Sequence, residues 1–146
     1  MDDGKQEVDL FHFMHTMDLF NSYSVRRWNS MFQSNLGITP IIVLSELRKF
    51  GPLRGVELAK KLELTPGAIT NITNKLYEKD LISRTPDPNS RRSIYYSIKQ
   101  EGLEILREAK EIAEKMNIEI LQVLTEEEQK QMLAIYTKVN EYFAKK

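Results

Sequence analysis

The spacing of apolar residues predicts a mainly helical chain with one short β-hairpin. Apolar side chains recur three and four positions apart over residues 6–34, 39–51 and 101–124, and again after Thr125. This spacing places them on one face of a helix. Between these stretches, residues 55–98 combine two short amphipathic segments and a hairpin with almost no spacer. We therefore expect long helices around a compact central unit.

Residues of capping type indicate where the helices begin and end. Thr39 is the expected N-cap of the helix over residues 39–51, and Gly51 suits its end. Thr125 is followed three residues later by Glu128, which is the spacing of a capping box. This box predicts the start of a last helix.

The central unit begins with two helices separated by a short turn. The first helix is expected to have an apolar side made of Val56, Leu58, Ala59 and Leu62. Residues 63–65 form the turn, Thr65 is the expected N-cap of the second helix, and Pro66 suits its first position, where no N–H is needed. The apolar side of this second helix consists of Ile69, Ile72 and Leu76.

The polar side of the second helix carries small and hydrogen-bonding side chains. It consists of Gly67, Thr70, Asn71, Asn74 and Lys75. Asparagine can pair in a bidentate way with adenine, threonine can contact a thymine methyl group, and lysine can reach guanine. The slim start of the helix at Pro66 leaves free N–H groups for a phosphate. The alternative is an ordinary solvated helix face.

A hairpin follows these two helices. Residues 93–98 alternate in polarity, with Ile94, Tyr96 and Ile98 on one side, and residues 81–84 form the expected partner strand. The sequence DPNS at residues 87–90 suits a type I turn. Arg91 then lies near the hairpin tip, where it could enter a minor groove or bind phosphates, although a solvent-facing arginine is the alternative. Helix, turn, helix and β-wing in this order are typical of proteins that place one helix in the major groove of DNA.

The charge distribution agrees with a nucleic-acid partner. The whole chain is neutral, with 21 basic and 21 acidic residues. Residues 48–99 contain 11 basic and 5 acidic residues, a net charge of +6, whereas residues 1–47 and 100–146 carry −3 each. A basic surface concentrates affinity for phosphates. The basic segment coincides with the helix pair and the hairpin.

The run LTPGAITNITNKLYEKDLISR followed by PDPNSRRSIYYSI resembles the MarR family of bacterial winged-helix transcriptional regulators. The resemblance extends over nearly all 146 residues, and it implies a mainly α fold with a small β-wing. It matches Pro66, Gly67, Thr70, Asn71, Asn74 and Lys75 to the DNA-recognition helix, and Asp87, Arg91 and Arg92 to the wing. Thr65, as the cap of that helix, joins the expected DNA-binding residues.

Two positions depart from the family pattern. Ser90 stands where the family usually has an aspartate before its arginine pair, which leaves Asp87 as the remaining carboxylate for Arg92. Asp80 stands where the family often has glycine, so its backbone is expected to adopt a left-handed conformation.

The resemblance implies one MarR-like domain over residues 1–146. Residues 37–99 would form the winged helix-turn-helix DNA-binding region, and residues 1–36 and 100–146 the helical dimerisation region. The terminal helices carry more apolar surface than one small central unit can cover. We therefore expect a homodimer that binds a pseudo-palindromic operator in double-stranded DNA. The alternative is a monomeric bundle.

A ligand-responsive repressor is the expected function. An effector wedged between the DNA-binding region and the dimerisation helices would favour a spacing that no longer fits DNA. Family members often have such a pocket beside the first helix, and its candidate lining here is Phe11, Tyr23 and Trp28. The alternative is that these rings simply fill the core.

Other function classes have weaker support in the sequence. There is no phosphate-binding glycine loop and no nucleophile motif, so we expect neither an enzyme nor a cofactor. A winged-helix protein–protein adapter would explain the fold but not the basic middle. A metal-responsive regulator using His12 and His15 is a further alternative, although two histidines and no cysteine favour no metal site.

The chain is expected to be cytoplasmic. It has no apolar run near 18 residues, so no contact with a membrane is expected. The start MDDGKQEVD is acidic and lacks the basic start of a secretory signal.

Overall fold

The computed structural model describes residues 8–146, which form a mainly helical fold with one small antiparallel sheet. Within this part of the chain the elements are α1 (Leu10–Met31), α2 (Ile38–Phe50), β1 (Leu53–Arg54), α3 (Gly55–Leu62), α4 (Pro66–Glu78), β2 (Ile82–Asp87), β3 (Ser90–Ile98), α5 (Gln100–Gln122) and α6 (Glu126–Ala144). This architecture confirms the expected mainly α fold with a β-wing. The first seven residues, which belong to the expected dimerisation region, lie outside the described residues.

The hydrophobic core joins the helix pair to the sheet. Its most deeply buried apolar side chains are Val43, Leu44, Leu47, Leu58, Leu76 and Ile82, which come from α2, α3, α4 and β2. Full burial of such a side chain contributes about 1.5–3 kcal/mol to folding. Because α2 and α3 pack against α4 in this core, the position of α4 is fixed by hydrophobic contacts on one side only.

The sheet contains three strands in the order β1-β3-β2. Tyr96 in β3 is the centre of the register, since it pairs with Leu53 on one side and with Arg84 on the other. The two-residue β1 was not predicted. The partner strand expected at residues 81–84 is longer than predicted, because β2 continues to Asp87 and the hairpin turns at Pro88 and Asn89.

Most of the predicted helix boundaries are confirmed, and one is wrong. Thr65 caps α4, and Thr125 forms a reciprocal capping box with Glu128 at the start of α6. Gly51 ends α2 with a positive φ of 75°. The N-cap of α2, however, is Gly37 and not Thr39, because the helix begins at residue 38 and Thr39 already lies inside its first turn.

The burial pattern corrects two sequence expectations. Val56, which is expected on the buried side of α3, is 78% exposed, because it lies in the first turn, where α3 leaves the sheet edge. Thr73, which the apolar pattern does not place in the core, is fully buried in α4. Its hydroxyl donates to the Ile69 carbonyl at 2.9 Å, so this buried polar group has a partner and is compatible with the core.

A close contact joins the end of the sheet to α5. The Lys99 N–H donates to the Leu81 carbonyl at 3.0 Å, and the Lys99 ammonium lies 2.6 Å from the Asp80 carboxylate, which raises the pKa of Lys99. Asp80 has a φ of 62°, which is the left-handed conformation expected at a position where the family often has glycine. Gly102 in the first turn of α5 packs so tightly that a β-carbon there would lie 2.3 Å from the Leu81 carbonyl oxygen.

We expect Gly102→Ala to lower the free energy of unfolding by about 1–3 kcal/mol, because backbone must move to admit the methyl group. Urea denaturation measures this change. Gly67→Ala is the matched control, since a β-carbon at Gly67 would meet nothing within 4 Å. Alanine is the better helix former, so this control should leave stability unchanged or raise it by up to about 1 kcal/mol. Equal stability of the two variants would contradict the close contact at Gly102.

The terminal helices expose much apolar surface. Trp28 is the only buried residue of α1, and α6 contains no buried residue at all. The exposed large apolar side chains of α6 are Leu133, Ile135, Tyr136, Val139, Tyr142 and Phe143. Across residues 8–146, no helix combines the length and the apolar character that crossing a membrane requires.

Candidate nucleic-acid interface

Helix α4 is held by its cap and by one buried side. The Thr65 hydroxyl accepts the Ala68 N–H at 3.2 Å. Pro66 occupies the first helical position, where an N–H would have no partner within the helix. Ile69, Thr73 and Leu76 are buried against the rest of the fold. The opposite side of the helix must therefore face outwards.

The structure places every predicted residue of α4 on that outward side. Thr65, Pro66, Gly67, Thr70, Asn71, Asn74 and Lys75 are all exposed. No atom outside its own helix backbone and its chain neighbours comes within 4 Å of a β-carbon built on Gly67, so the start of the helix is unobstructed. The major groove of a DNA duplex could therefore receive α4 along this side.

The wing lies beside the N-terminal half of α4. Arg92 lines a cleft of about 290 Å³ together with Pro66 and Thr70, so these predicted site residues from β3 and α4 share one surface. Arg91 is exposed but does not line this cleft. The expected pair between Asp87 and Arg92 is not among the ion pairs of residues 8–146, so that expectation is wrong.

Asp87 instead stabilises the hairpin turn. Its carboxylate accepts the Asn89 N–H at 2.9 Å and the residue is buried, which explains why this carboxylate is not available to the arginines. Ser90 accepts the Arg92 N–H at 3.4 Å. Neither arginine side chain of the wing forms an ion pair within residues 8–146, so both can meet an external anion.

Two side chains of α4 make contacts that limit how they can meet a ligand. The Thr70 hydroxyl donates to the Pro66 carbonyl at 2.9 Å, so its oxygen can only accept from a ligand. Lys75 donates to the Asn35 carbonyl at 3.3 Å, and this contact links α4 to the loop between α1 and α2. Asn35 has a positive φ of 57°, which asparagine tolerates.

Arg84 is a member of this surface that the sequence did not reveal. Its guanidinium donates to the side-chain oxygen of Asn74 and lies 4.0 Å from the centre of the Tyr77 ring. Arg84 is in β2, ten residues from Asn74, and neither helical nor strand periodicity relates the two positions. Only the packing of β2 against α4 brings them together.

The first turn of α3 contains a locally stabilised carboxylate. The Glu57 carboxylate accepts the Arg54 backbone N–H at 2.7 Å, and this hydrogen bond lowers the pKa of Glu57. The same carboxylate lies 3.5 Å from the Arg54 guanidinium. The hydrogen bond from the Arg54 N–H satisfies a backbone donor at the start of α3, the helix that supports α4.

A separate cavity of about 560 Å³ lies between α1, α2 and α5. Trp28, one of the three aromatic residues expected in an effector pocket, lines it, and its indole N–H has no hydrogen-bond partner among residues 8–146. Tyr23 lines a neighbouring depression instead, next to the ion pair between Arg27 and Glu119. Phe11 lines neither of these cavities and is 80% exposed in the first turn of α1.

The cavity lining is mostly apolar with two cations. Its members include Phe20, Ile41, Ile42, Leu106, Ala109, Ala113, Met116 and Ile120, together with Arg48 and Lys110. His12 and His15 lie outside it and are exposed on α1. Within the part of the chain that the structure describes, no group of three histidine, aspartate or glutamate residues is placed to hold a metal ion.

Comparison with known sequences identifies relatives of this chain. The sequence profile of the MarR family matches residues 38–94. The HTH-type transcriptional repressor MdtR of Bacillus subtilis is 35% identical over 70% of this chain and 68% of its own length. The multiple antibiotic resistance protein MarR of Salmonella typhimurium is 30% identical over 62% of this chain and 72% of its own length.

Comparison with solved structures gives the same fold. The YusO protein of Bacillus subtilis superposes with a TM-score of 0.74 and 30% identity, covering 88% of this chain and 91% of that protein. A mutant MarR from E. coli in complex with operator DNA superposes with a TM-score of 0.70 over 90% of this chain and 98% of that one; at 23% identity it supports the fold alone. From its fold and these relatives, the chain belongs to the MarR family of winged-helix, DNA-binding transcriptional regulators, which are not enzymes.

Proposed function

We propose that this regulator is a homodimeric repressor that reads a pseudo-palindromic operator with α4 and binds the flanking phosphates with its wing. The observation that carries the proposal is the outward side of α4. It presents small, hydroxyl and amide side chains on a helix whose other side is fully packed. A relative with 35% identity, MdtR, is named as a repressor, which supports the direction of regulation.

Each side chain of α4 would have a distinct task in the major groove. The Asn71 side chain has no hydrogen bond to the rest of residues 8–146, so both its donor and its acceptor remain available for a base edge. The methyl group of Thr70, an exposed residue, could contact thymine. Thr65, Pro66 and Gly67 would bring the free N–H groups at the start of α4 close to a phosphate.

The wing would supply contacts that do not depend on base sequence. Arg91 and Arg92 are exposed near the hairpin tip and form no ion pair with the described part of the chain. An arginine at such a tip can bind phosphates or enter a narrow minor groove. Lys75 would add a further cation once it leaves the Asn35 carbonyl.

Residues 1–36 and 100–146 would form the dimerisation region, and residues 37–99 the DNA-binding region of one domain. In support of this, α1 and α6 present apolar side chains that the single chain leaves exposed. A second copy would cover this surface and would place two α4 helices on one side of the duplex. A pseudo-palindrome is the operator that matches such two-fold symmetry.

Ligand responsiveness would depend on the cavity between α1, α2 and α5. The cavity adjoins both the DNA-binding region, through α2, and the dimerisation region, through α1 and α5. Its apolar lining and its two cations, Arg48 and Lys110, suit a small aromatic anion. Such a ligand would shift the spacing of the α4 helices only if its affinity differs between two arrangements of the dimer, one that fits the operator and one that does not.

The base-reading role of α4 is tested by comparing operator DNA with random DNA. We expect Asn71→Ala to weaken operator binding by about 1–3 kcal/mol while leaving random-DNA binding nearly unchanged, because alanine cannot make a bidentate hydrogen bond to a base. We expect Arg91→Ala to weaken both equally, because phosphates are the same in every sequence. Titrations monitored by fluorescence anisotropy measure both affinities. Equal losses on the two DNAs for Asn71→Ala would contradict the proposal.

Trp28 gives a direct readout of the cavity because it is the only tryptophan of the chain. We expect benzoate to change its fluorescence and to weaken operator binding, and benzyl alcohol, which has no charge for Arg48 and Lys110, to act less strongly. Ala113→Phe, which fills part of the cavity, should abolish both benzoate effects. A benzoate effect on operator binding that persists in Ala113→Phe would place the effector elsewhere.

A further inference from the structure

Arg84 holds the side-chain amide of Asn74 in one orientation. The Arg84 guanidinium donates to the Asn74 side-chain oxygen, and the same guanidinium lies 4.0 Å from the centre of the Tyr77 ring. Asn74 and Tyr77 are one helical turn apart on α4, and Arg84 reaches both from the neighbouring strand β2. The cation is therefore fixed by two contacts on the same side of the helix.

The orientation of the amide follows from the chemistry of its partner. A guanidinium has only donors, so only the oxygen of Asn74 can face it, and the amide NH₂ must point away. The second lone pair of that oxygen lies beside a positive charge, which disfavours the approach of another N–H donor. Asn74 is thus presented to a ligand as a hydrogen-bond donor.

This arrangement changes which base Asn74 can read. A bidentate contact with adenine needs the asparagine oxygen to accept from the adenine amino group while the NH₂ donates to N7. Because its oxygen already accepts from Arg84, Asn74 can still donate its NH₂ to adenine N7 but cannot accept from the adenine amino group. Guanine presents two acceptors, O6 and N7, and no amino group at the same edge of the major groove.

We propose that Arg84 is a positioning residue that makes Asn74 prefer guanine over adenine at one operator position. The inference rests on the proposed function, because it needs α4 in the major groove. Arg84 itself would contact no base. It acts through the amide of Asn74, and Tyr77 keeps it in place.

Selection from a randomised duplex library with the full chain tests the inference. Asn74→Ala first identifies the position that Asn74 reads, as the place where base preference becomes flat. Arg84→Met keeps a side chain of similar reach over the Tyr77 ring but removes all donors. We expect it to shift preference at that one position from guanine towards adenine by about 5- to 150-fold, the range of one bidentate contact.

Two further variants separate positioning from a structural role. In the Asn74→Ala background, Arg84→Met should cause no shift in preference, because the amide through which it acts is gone. Lys61→Met is the matched control, since Lys61 also lies over an aromatic ring, at 3.7 Å from the centre of Phe50, but makes no contact with Asn74. It should leave the preference profile unchanged. Thermal unfolding of each variant verifies that the fold is intact.

The outcomes distinguish this inference from the proposed function. If Arg84→Met weakens binding to all sequences equally and leaves the profile unchanged, Arg84 binds phosphate or stabilises the fold, and the inference is overturned. If Asn74→Ala leaves the profile unchanged, Asn74 reads no base and the inference also fails, whereas a change in the profile of Asn71→Ala would still support the proposed function. If neither asparagine variant changes the profile, the proposed function itself fails.

Discussion

Replacing Tyr136 and Val139 of α6 together by glutamate is expected to convert the proposed dimer to monomers and to weaken operator binding about 10²- to 10⁴-fold. Both side chains lie on the exposed apolar stripe of α6, where a partner copy would bury them. Two buried, unpaired carboxylates would be costly enough to separate the subunits. A monomer then loses the second half-site, and with it the gain from linked binding, which is about 10²- to 10⁴-fold.

The control for this prediction uses the opposite side of the same helix. Ala134→Glu with Thr137→Glu adds the same charge at exposed positions that lie away from the stripe, and it should leave both assembly and operator affinity unchanged. Ile112 of α5 is unsuitable for such a test, because it is buried in the core of its own chain. Sedimentation velocity measures the assembly state. An unmodified chain that sediments as a monomer at micromolar concentration would refute the dimer.

Affinity for duplex DNA is expected to fall by about 10³-fold or more when salt rises from about 50 to 200 mM, as is usual for proteins that bind several phosphates. Residues 48–99 carry a net charge of +6 and contain α4 and the wing, so their lysines and arginines would supply these contacts. Changing Arg91 and Arg92 to alanine should reduce the slope of log affinity against log salt by about one for each phosphate that is no longer bound.

The matched control removes the same charge far from the wing. Lys130→Ala with Lys138→Ala changes two exposed lysines of α6, and its salt slope should equal that of the unmodified chain. An equal reduction by both double variants would assign the salt effect to net charge and not to the wing. Complete absence of salt-dependent DNA binding would instead favour a protein–protein adapter.

Local chemistry explains which features were predictable from the sequence. The caps at Thr65 and Thr125 were predicted correctly because a capping hydrogen bond joins residues only three positions apart. The cap at Gly37 was missed because glycine makes no side-chain hydrogen bond there and its contribution is an extended backbone. The strand β1 has two residues, too few to show alternation.

Features that depend on packing between distant elements could not be predicted. The hydrogen bonds of Asn74 with Arg84 and of Lys75 with Asn35 each join separate elements, and nothing in their spacing indicates them. Of the three aromatic side chains expected in the pocket, only Trp28 lines the cavity, while Phe20, which was not among them, lines it as well. The aromatic residues of α1 have similar sequence surroundings, so only the packing of α1 against α2 and α5 determines which of them line the cavity.

Site-specific crosslinking from α4 shows whether this helix lies in the major groove. The chain contains no cysteine, so Asn71→Cys provides a unique attachment point for a photoactivated crosslinker, and Thr137→Cys on α6 provides the control. If α4 lies in the major groove of a two-fold symmetric complex, position 71 will crosslink to bases at two sites about 10 base pairs, or one helical turn, apart. Crosslinks from position 71 to protein alone would contradict this placement of α4. DNA crosslinks that are equally frequent from position 137 would contradict it as well.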